Sequence, residues 1–317
     1  MRKRLKHWPE QLQAVQRKEN ERVQQLIFGL ANGSIYALMA LAIGIVSSTT
    51  GIINFGYASI VMMGAMVSWW LIVIYGFSYI PALLFAIAVS IVLSIVMYET
   101  CVKKLGDLQD NVGWIITLFG AAIILDNIAR MVFGTEPQAF PYLFDGKIVK
   151  FLGANIMLHE LMMITITLVI GVIYHVIIKK TQFGRAVRAV AFRPTTSELM
   201  GINSEKIILS CFAMAGIVSA VAGVLIAPIT FASYTMTSSI GLKGFAAAVL
   251  GGFEDTKGAF VGGFVLGLVE IFISMFVPAG IKDSISFFIM IIVIIFLPGG
   301  IMSAKIFNKN WSATEKV

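Results

Sequence analysis

Asp126 and Arg130 stand four residues apart in an apolar run, with Asn127 beside them. That spacing puts an acid and a base on one helix face within pairing distance. Ionisable groups are costly in hydrocarbon, so each marks either an internal ion pair or a polar lining for a solute path. Glu270 lies in another run, 259–276, without a partner on its own helix. It must face a polar neighbour, a water-filled cavity or the headgroup zone. Asn32 and Asn54 flank the interrupted end of the first run. An amide there either offers donors and acceptors to a zwitterionic solute or caps a half-helix. Bond-breaking chemistry has no foothold: the chain has no Walker A pattern, no H-E-x-x-H and no G-x-S-x-G, and His7, His159 and His175 are scattered. Cys101 and Cys211 lie in separate runs, with neither disulfide-framework nor C-x-x-C spacing. The sequence therefore predicts no catalytic residue, no metal and no cofactor. Energy for any uphill transport must come from an ion gradient or from another subunit.

The elements that carry these residues follow from composition. The 317 residues are 58% hydrophobic and 13% charged, with a mean hydropathy of +0.89, against about 25% charged residues in a soluble domain. An ordinary soluble enzyme is excluded. The apolar surplus falls in runs at 23–47, 57–75, 80–102, 112–133, 158–178, 207–231, 242–252, 259–276 and 285–297, most near the roughly twenty residues that cross a bilayer as a helix. The expected fold class is an all-α polytopic membrane protein of eight or nine transmembrane spans, with Gly-interrupted or re-entrant segments. The run 242–252 is short for a crossing and reads as a half-helix or re-entrant piece. Glycine-rich interruptions at 50–56 and 251–258 occupy corresponding places in the two halves and point to an internal repeat. The pairs Gly29/Gly33 and Gly258/Gly262, and the triplet Ala215, Ser219 and Gly223, have the small-xxx-small spacing of helix-packing seams.

Orientation comes from the loops. Lys103 and Lys104, and the cluster Lys179, Lys180, Arg185, Arg188, Arg193 and Lys206, read as cytoplasmic, whereas 134–155 is poor in cations and fits the outer side. The net charge of +7 fits cationic cytoplasmic loops and anionic lipid, not nucleic acid. Three regions follow: a basic polar tail at 1–22 with no apolar signal core, a transmembrane domain at 23–303 carrying the cytoplasmic loop 179–206, and a C-terminal tail at 304–317 on the inner side. Nine spans place the N-terminus outside, in conflict with its basic tail. Either one interrupted segment does not cross or the tail departs from the positive-inside rule.

The loop is the most specific stretch. Thr195 and Glu198 have capping-box spacing, Pro194 bars earlier helix, and Gly201 suits a helix stop, which together predict a cytoplasmic helix of about one and a half turns. Arg185 and Arg188, three residues apart, share a helix face and could meet a partner's acidic groups or the last helix carbonyls. Such a loop suggests docking to a partner; a mere cationic anchor is the plainer reading.

From 29 to 300 the chain resembles the LivH-type permease subunit of branched-chain amino acid ABC importers. The matching pieces are N-G-S-I-Y-A-L-M-A-L-A-I-G at 32–44, G-I-I-N-F at 51–55, G-R-A-V-R-A at 184–189, G-I-N at 201–203, K-G-F-A-A-A-V-L-G-G-F at 243–253 and G-A-F-V-G-G-F-V-L-G-L-V-E at 258–270. The resemblance implies a multi-pass protein of a bacterial or archaeal inner or plasma membrane. It also implies a second, LivM-like permease, two cytoplasmic ATPase subunits docked on Gly184 to Gly201, and an extracytoplasmic solute-binding protein. Branched-chain amino acids are the implied cargo, with urea and short amides carried by relatives. The chain departs from the family pattern at Gly56-Tyr57-Ala58, where Ala-His-Gly is common, and at Phe192-Arg193-Pro194, where an acidic pair often stands. The rival readings are a sugar or nucleoside permease of the same superfamily and an ion-coupled secondary carrier.

Overall fold

The computed structural model describes residues 10–105, 113–144, 146–151, 154–252 and 255–275, with isolated positions between 284 and 300. The first nine residues, most of the run expected at 285–297, and the tail 304–317 lie outside the described residues. Among the described residues ten α-helices and one hairpin follow in order: α1 (Glu10–Thr50), α2 (Tyr57–Trp69), α3 (Tyr79–Met97), α4 (Gly113–Phe133), β1 (Ile148–Phe151), β2 (Ala154–Met157), α5 (Leu158–Lys180), α6 (Gln182–Phe192), α7 (Pro194–Leu199), α8 (Ser204–Thr230), α9 (Met236–Gly251) and α10 (Thr256–Ser274). A π-helical turn at Trp70–Ile74 extends α2, and irregular turns carry α3 on to Leu105. Among the described residues seven helices are long and apolar enough to cross a membrane: α1, α2, α3, α4, α5, α8 and α10 with their extensions.

The cationic ends of α3 and α5 gather with α6 and α7 on one side, where Lys103 forms a 2.6 Å ion pair with Glu205 at the start of α8. On the other side Gln138 pairs with Ala232, and the Tyr79 hydroxyl donates to the Pro141 carbonyl. The positive-inside tendency makes the first side cytoplasmic. Helix α1 packs antiparallel on α10, Gly29 against Ile271 and Gly44 against Thr256, and its Thr49 hydroxyl meets Cys211 near the inner end of α8. Helix α1 therefore enters from the outer side, where Ile27 packs on Ala154 and Ile156 of the hairpin. Arg2, Lys3, Arg4 and Lys6 of the basic tail lie outside the described residues. The boundary drawn at residue 22 falls inside α1, which is already helical from Glu10.

Both glycine breaks use left-handed backbone, Gly51 at φ +72° and Gly252 at φ +99°, which glycine adopts without steric cost. After Gly51 the chain climbs back from the inner end, and α2 begins near mid-membrane, where the Ser59 hydroxyl donates to the Ala122 carbonyl halfway along α4. The second break stays at the inner end. An in-plane two-fold axis would put related segments at opposite depths, so these two breaks are not mates of an inverted repeat. Helix α9 is longer than the run 242–252 implied, because it starts at Met236, yet its 16 residues reach only about 24 Å. It is held inside, between α1, α2 and α10.

Two contacts keep it there. The first is the glycine-lined approach of α1 to α10. A Cβ on Gly33 would sit 3.0 Å from the Phe264 Cα, while Gly263 and Gly267 abut the backbone of Ala37 and Gly33 with no room for a side chain. On α8, Gly223 of the triplet meets the Val61 carbonyl of α2 in the same way, and Ala215 and Ser219 are fully buried. The second is an ion pair in the interior. Glu270, 2% exposed, accepts from the Tyr36 hydroxyl at 2.7 Å and from the Lys243 ammonium at 2.8 Å, joining α10, α1 and α9.

Two expectations follow for purified protein. Gly263→Leu must push α1 away from α10, so it should abolish monodisperse protein in size-exclusion chromatography. Gly120→Ala, with nothing within 4 Å of the added Cβ, should elute like the parent. Glu270→Leu strands the Lys243 charge and should lower stability by about 3–5 kcal/mol, whereas Glu270→Leu combined with Lys243→Met should recover most of that loss. Thermal unfolding in detergent measures both; equal losses in the single and double variants would remove the ion pair from its role.

Candidate functional site

On the cytoplasmic side the chain reverses between α5 and α6 through a single hydroxyl. Thr181 Oγ1 donates to the Ile177 carbonyl at 2.6 Å, closing α5, and accepts the Gly184 amide at 3.1 Å, opening α6. Gly184 abuts the carbonyls of Ile177 and Ile178, so only a residue without a Cβ permits this fold-back. Gly184, Val187 and Val190 are the buried face of α6; Arg185 and Arg188 are exposed. The Arg188 guanidinium donates to the Ile178 carbonyl, placing a cation at the C-terminus of α5 rather than of its own helix.

The capping box does not form. Pro194 is itself the first residue of α7, since its fixed φ suits that position and its missing N–H costs nothing there. The N-cap is Arg193, without a side-chain cap bond, and Thr195 and Glu198 are exposed residues inside the helix. The expected length is met by the six residues Pro194–Leu199, and Gly201 at φ +83° ends the turn. Helix α7 is tied to α8 at its N-terminal end: Ser204 Oγ, at the start of α8, donates to the Pro194 carbonyl at 3.0 Å, while Ser197 Oγ donates back to the Arg193 carbonyl at 2.9 Å within the first turn. Three large apolar side chains stand uncovered around it, Phe192 at 85%, Leu199 at 88% and Met200 at 80% exposure. Sequence reasoning missed them, although large apolar residues on both sides of a proline inside a cationic loop were the available signal.

At membrane depth the candidates separate into two groups. Among the described residues no ion pair joins Asp126 to Arg130. Asp126 instead accepts from the Thr237 hydroxyl at 2.8 Å, and the Arg130 guanidinium lies 5.9 Å from the centre of the Tyr234 ring. Both therefore turn toward the start of α9 and, with Asn127, Thr235 and Ser238, line a cleft of about 210 Å³. Asn127 donates to the Ile123 carbonyl at 2.8 Å. Arg130 and Asn127 are exposed on the surface of this chain. Arg130 stands in the last turn of α4 at its outer end, where a guanidinium reaches the headgroup level, whereas Asp126 and Asn127 lie deeper.

The second group is closed. Asn54 is fully buried and accepts the Gly56 amide at 2.8 Å, capping the entry to α2, while its Nδ2 has no hydrogen-bond partner among the described residues. Glu270 is held in the Tyr36 and Lys243 contacts, and Asn32 lies half-buried one turn before Tyr36 on the same face of α1. Tyr36 and Lys243 were not anticipated as its partners; a lysine inside the run 242–252 was the readable sign of a buried counter-charge.

The family model described as "Branched-chain amino acid transport system / permease component" matches residues 25–294. The chain is 30% identical over 299 residues to the "High-affinity branched-chain amino acid transport system permease protein LivH" of Escherichia coli (strain K12), covering 88% of this chain and 95% of that one. It is 28% identical over 296 residues, with the same coverage, to the corresponding protein BraD of Pseudomonas aeruginosa. It is 26% identical over 287 residues to the "Probable branched-chain amino acid transport permease protein LivH" of Methanocaldococcus jannaschii, covering 84% of this chain and 88% of that one. No solved structure matches. Matched along almost all of its membrane-spanning length, the chain belongs to the family of permease components of branched-chain amino acid transport systems.

Proposed function

We propose that this chain forms half of the translocation pathway of an ABC importer carrying branched-chain amino acids or similar small polar solutes such as urea and short amides. The family places the chain among multi-pass transporter permeases of the plasma membrane, which work with ATPase and solute-binding partners. A LivM-like second permease completes the pathway, two ATPase subunits bind the cytoplasmic end, and an external binding protein delivers the solute.

The observation that carries this reading is the uncovered apolar patch of Phe192, Leu199 and Met200 around a short helix tied to the start of α8 by Ser204. Burying a side chain of that size contributes about 1.5–3 kcal/mol, so the patch favours a covering protein partner. Because α7 is short, capped by Gly201 and tied to the start of α8, a push on it is transmitted to α8 as a body. Arg185 and Arg188 offer the cationic rim, with Thr195 and Glu198 on the exposed face of α7, and Gly184 permits the fold-back that presents them. In the membrane, the cleft holding Asp126 and Asn127 is a polar recess between α4 and the start of α9, and it lines the solute path in this reading. Asn54, Asn32 and Glu270 act behind it by shaping the broken helices. Glu270 is already ion-paired with Lys243, which disfavours the ion-coupled carrier reading.

Uptake by the reconstituted complex should require ATP and persist when proton and sodium gradients are collapsed; uptake by this chain alone, driven by a gradient, would overturn the proposal. Leu199→Asp with Met200→Asp should leave the chain inserted but lower recovery of the ATPase subunits or their stimulation by loaded binding protein at least tenfold. Normal co-purification together with normal stimulation would make the loop a topological anchor. Asp126→Asn and Asn54→Leu should each slow uptake severalfold per assembled complex; unchanged flux would remove Asp126 from the path or Asn54 from its supporting role.

A further inference from the structure

A cavity of about 820 Å³ opens between α1, α5, α6 and α10 near the cytoplasmic end. Its chemistry is graded with depth, in the same direction on two walls. Along α5 the lining runs from Leu168 and Val172 down to His175 and Lys179; along α10 it runs from Val261 and Phe260 down to Lys257. Lys179 follows Leu168 by eleven positions, about 16 Å along a helix, which is the depth of one leaflet of a roughly 30 Å hydrocarbon layer. Among the described residues the polar end gathers Lys179, Arg188 and Lys257 against one carboxylate, Asp255, which is engaged as the N-cap of α10 by accepting the Lys257 amide.

We infer that this cavity holds an anionic phospholipid of the inner leaflet, with its phosphate among Lys179, Arg188 and Lys257 and an acyl chain along Leu168, Val172 and Phe260. The excess of cations at headgroup level selects a negative charge, since a basic pocket between spans on the cytoplasmic side concentrates anionic headgroups. The apolar wall one leaflet deep selects a lipid over a free anion, because inorganic phosphate leaves that wall uncovered. Arg188 joins the two functions of this end of the molecule, since the guanidinium that closes α5 also borders the cavity. The bound headgroup would therefore steady the α5–α6 reversal.

Native mass spectrometry of the purified full-length chain, titrated separately with phosphatidylglycerol, phosphatidylcholine and inorganic phosphate, tests this. One phosphatidylglycerol should bind per chain at least tenfold more tightly than phosphatidylcholine, and phosphate should not bind. Lys179→Gln with Lys257→Gln should erase the preference for the anionic lipid, and Val172→Trp, which fills the apolar wall and leaves the charges intact, should weaken binding of the lipid itself. Equal binding of the two lipids, an anionic preference that survives both variants, or phosphate binding without a need for acyl chains would each overturn the inference. So would a disulfide from Val172→Cys to a cysteine placed in 304–317 or in another chain, formed in membranes rich in phosphatidylglycerol, since protein would then occupy the space.

Discussion

The close approach of α1 to α10 is the contact on which the remaining architecture depends. Lipid tails are as apolar as the helix surfaces, so burial of apolar area does not drive these helices together; close packing of small residues does. Gly33, Gly263 and Gly267 let the two backbones touch. Only at that separation can the Tyr36 hydroxyl of α1 reach Glu270 of α10, and Glu270 in turn fixes Lys243 and with it α9. Helix α9 is too short to cross as an independent span, yet it is kept at depth because its one cation is neutralised where it stands. The start of that helix supplies Thr237 to Asp126. A packing constraint thus passes through one buried ion pair to the polar cleft on the far side of α9.

The two ends of the molecule are built differently, and the difference suits a machine driven from one side. Outside, a hairpin and long connections cover the helix ends. Inside, the connection between α5 and α8 is a series of stiff joints: one hydroxyl serving two helices at Thr181, a steric fold-back at Gly184, a proline start at Pro194 and a left-handed stop at Gly201. Each joint removes a rotation that would otherwise absorb displacement. The apolar residues around α7 are exposed because the backbone is held in place without them, by Ser197 and Ser204. Their exposure is a consequence of rigidity rather than of looseness.

The polar groups at membrane depth divide along the same logic. Asn54 and Glu270 lie inside the helix bundle and satisfy backbone or charge there, which frees the broken segments from the need to find water. Asp126, Asn127 and Arg130 stand on the surface of α4 and are satisfied only in part by α9. Arg130, in the last turn at the outer end of α4, reaches the headgroup level, while Asp126 and Asn127 lie deeper.

Much of this was legible in the order of residues, and the boundary follows from the range of the forces involved. Twenty-residue apolar runs, a cationic loop, glycines at left-handed stops and small residues at four-residue spacing act locally or one helix at a time, so the helical membrane fold, the short helix ended by Gly201 and the packing stripes could be read directly. Pairing could not. Asp126 and Arg130 have the spacing of an ion pair, but α9 offers each a different neighbour. Thr195 and Glu198 have the spacing of a capping box, but Pro194 takes the first position of the helix. Glu270 has no partner within its own helix, and finds Tyr36 234 positions away and Lys243 27 positions away. The antiparallel packing of α1 on α10 was likewise not written in either segment alone. The sequence by itself determined which segments are helices, where they break and which loops carry charge, because backbone hydrogen bonding in a bilayer is satisfied within each segment. Tertiary structure alone decided which polar side chains meet, because a side chain at membrane depth takes whichever partner the packing of backbones brings within about 3 Å.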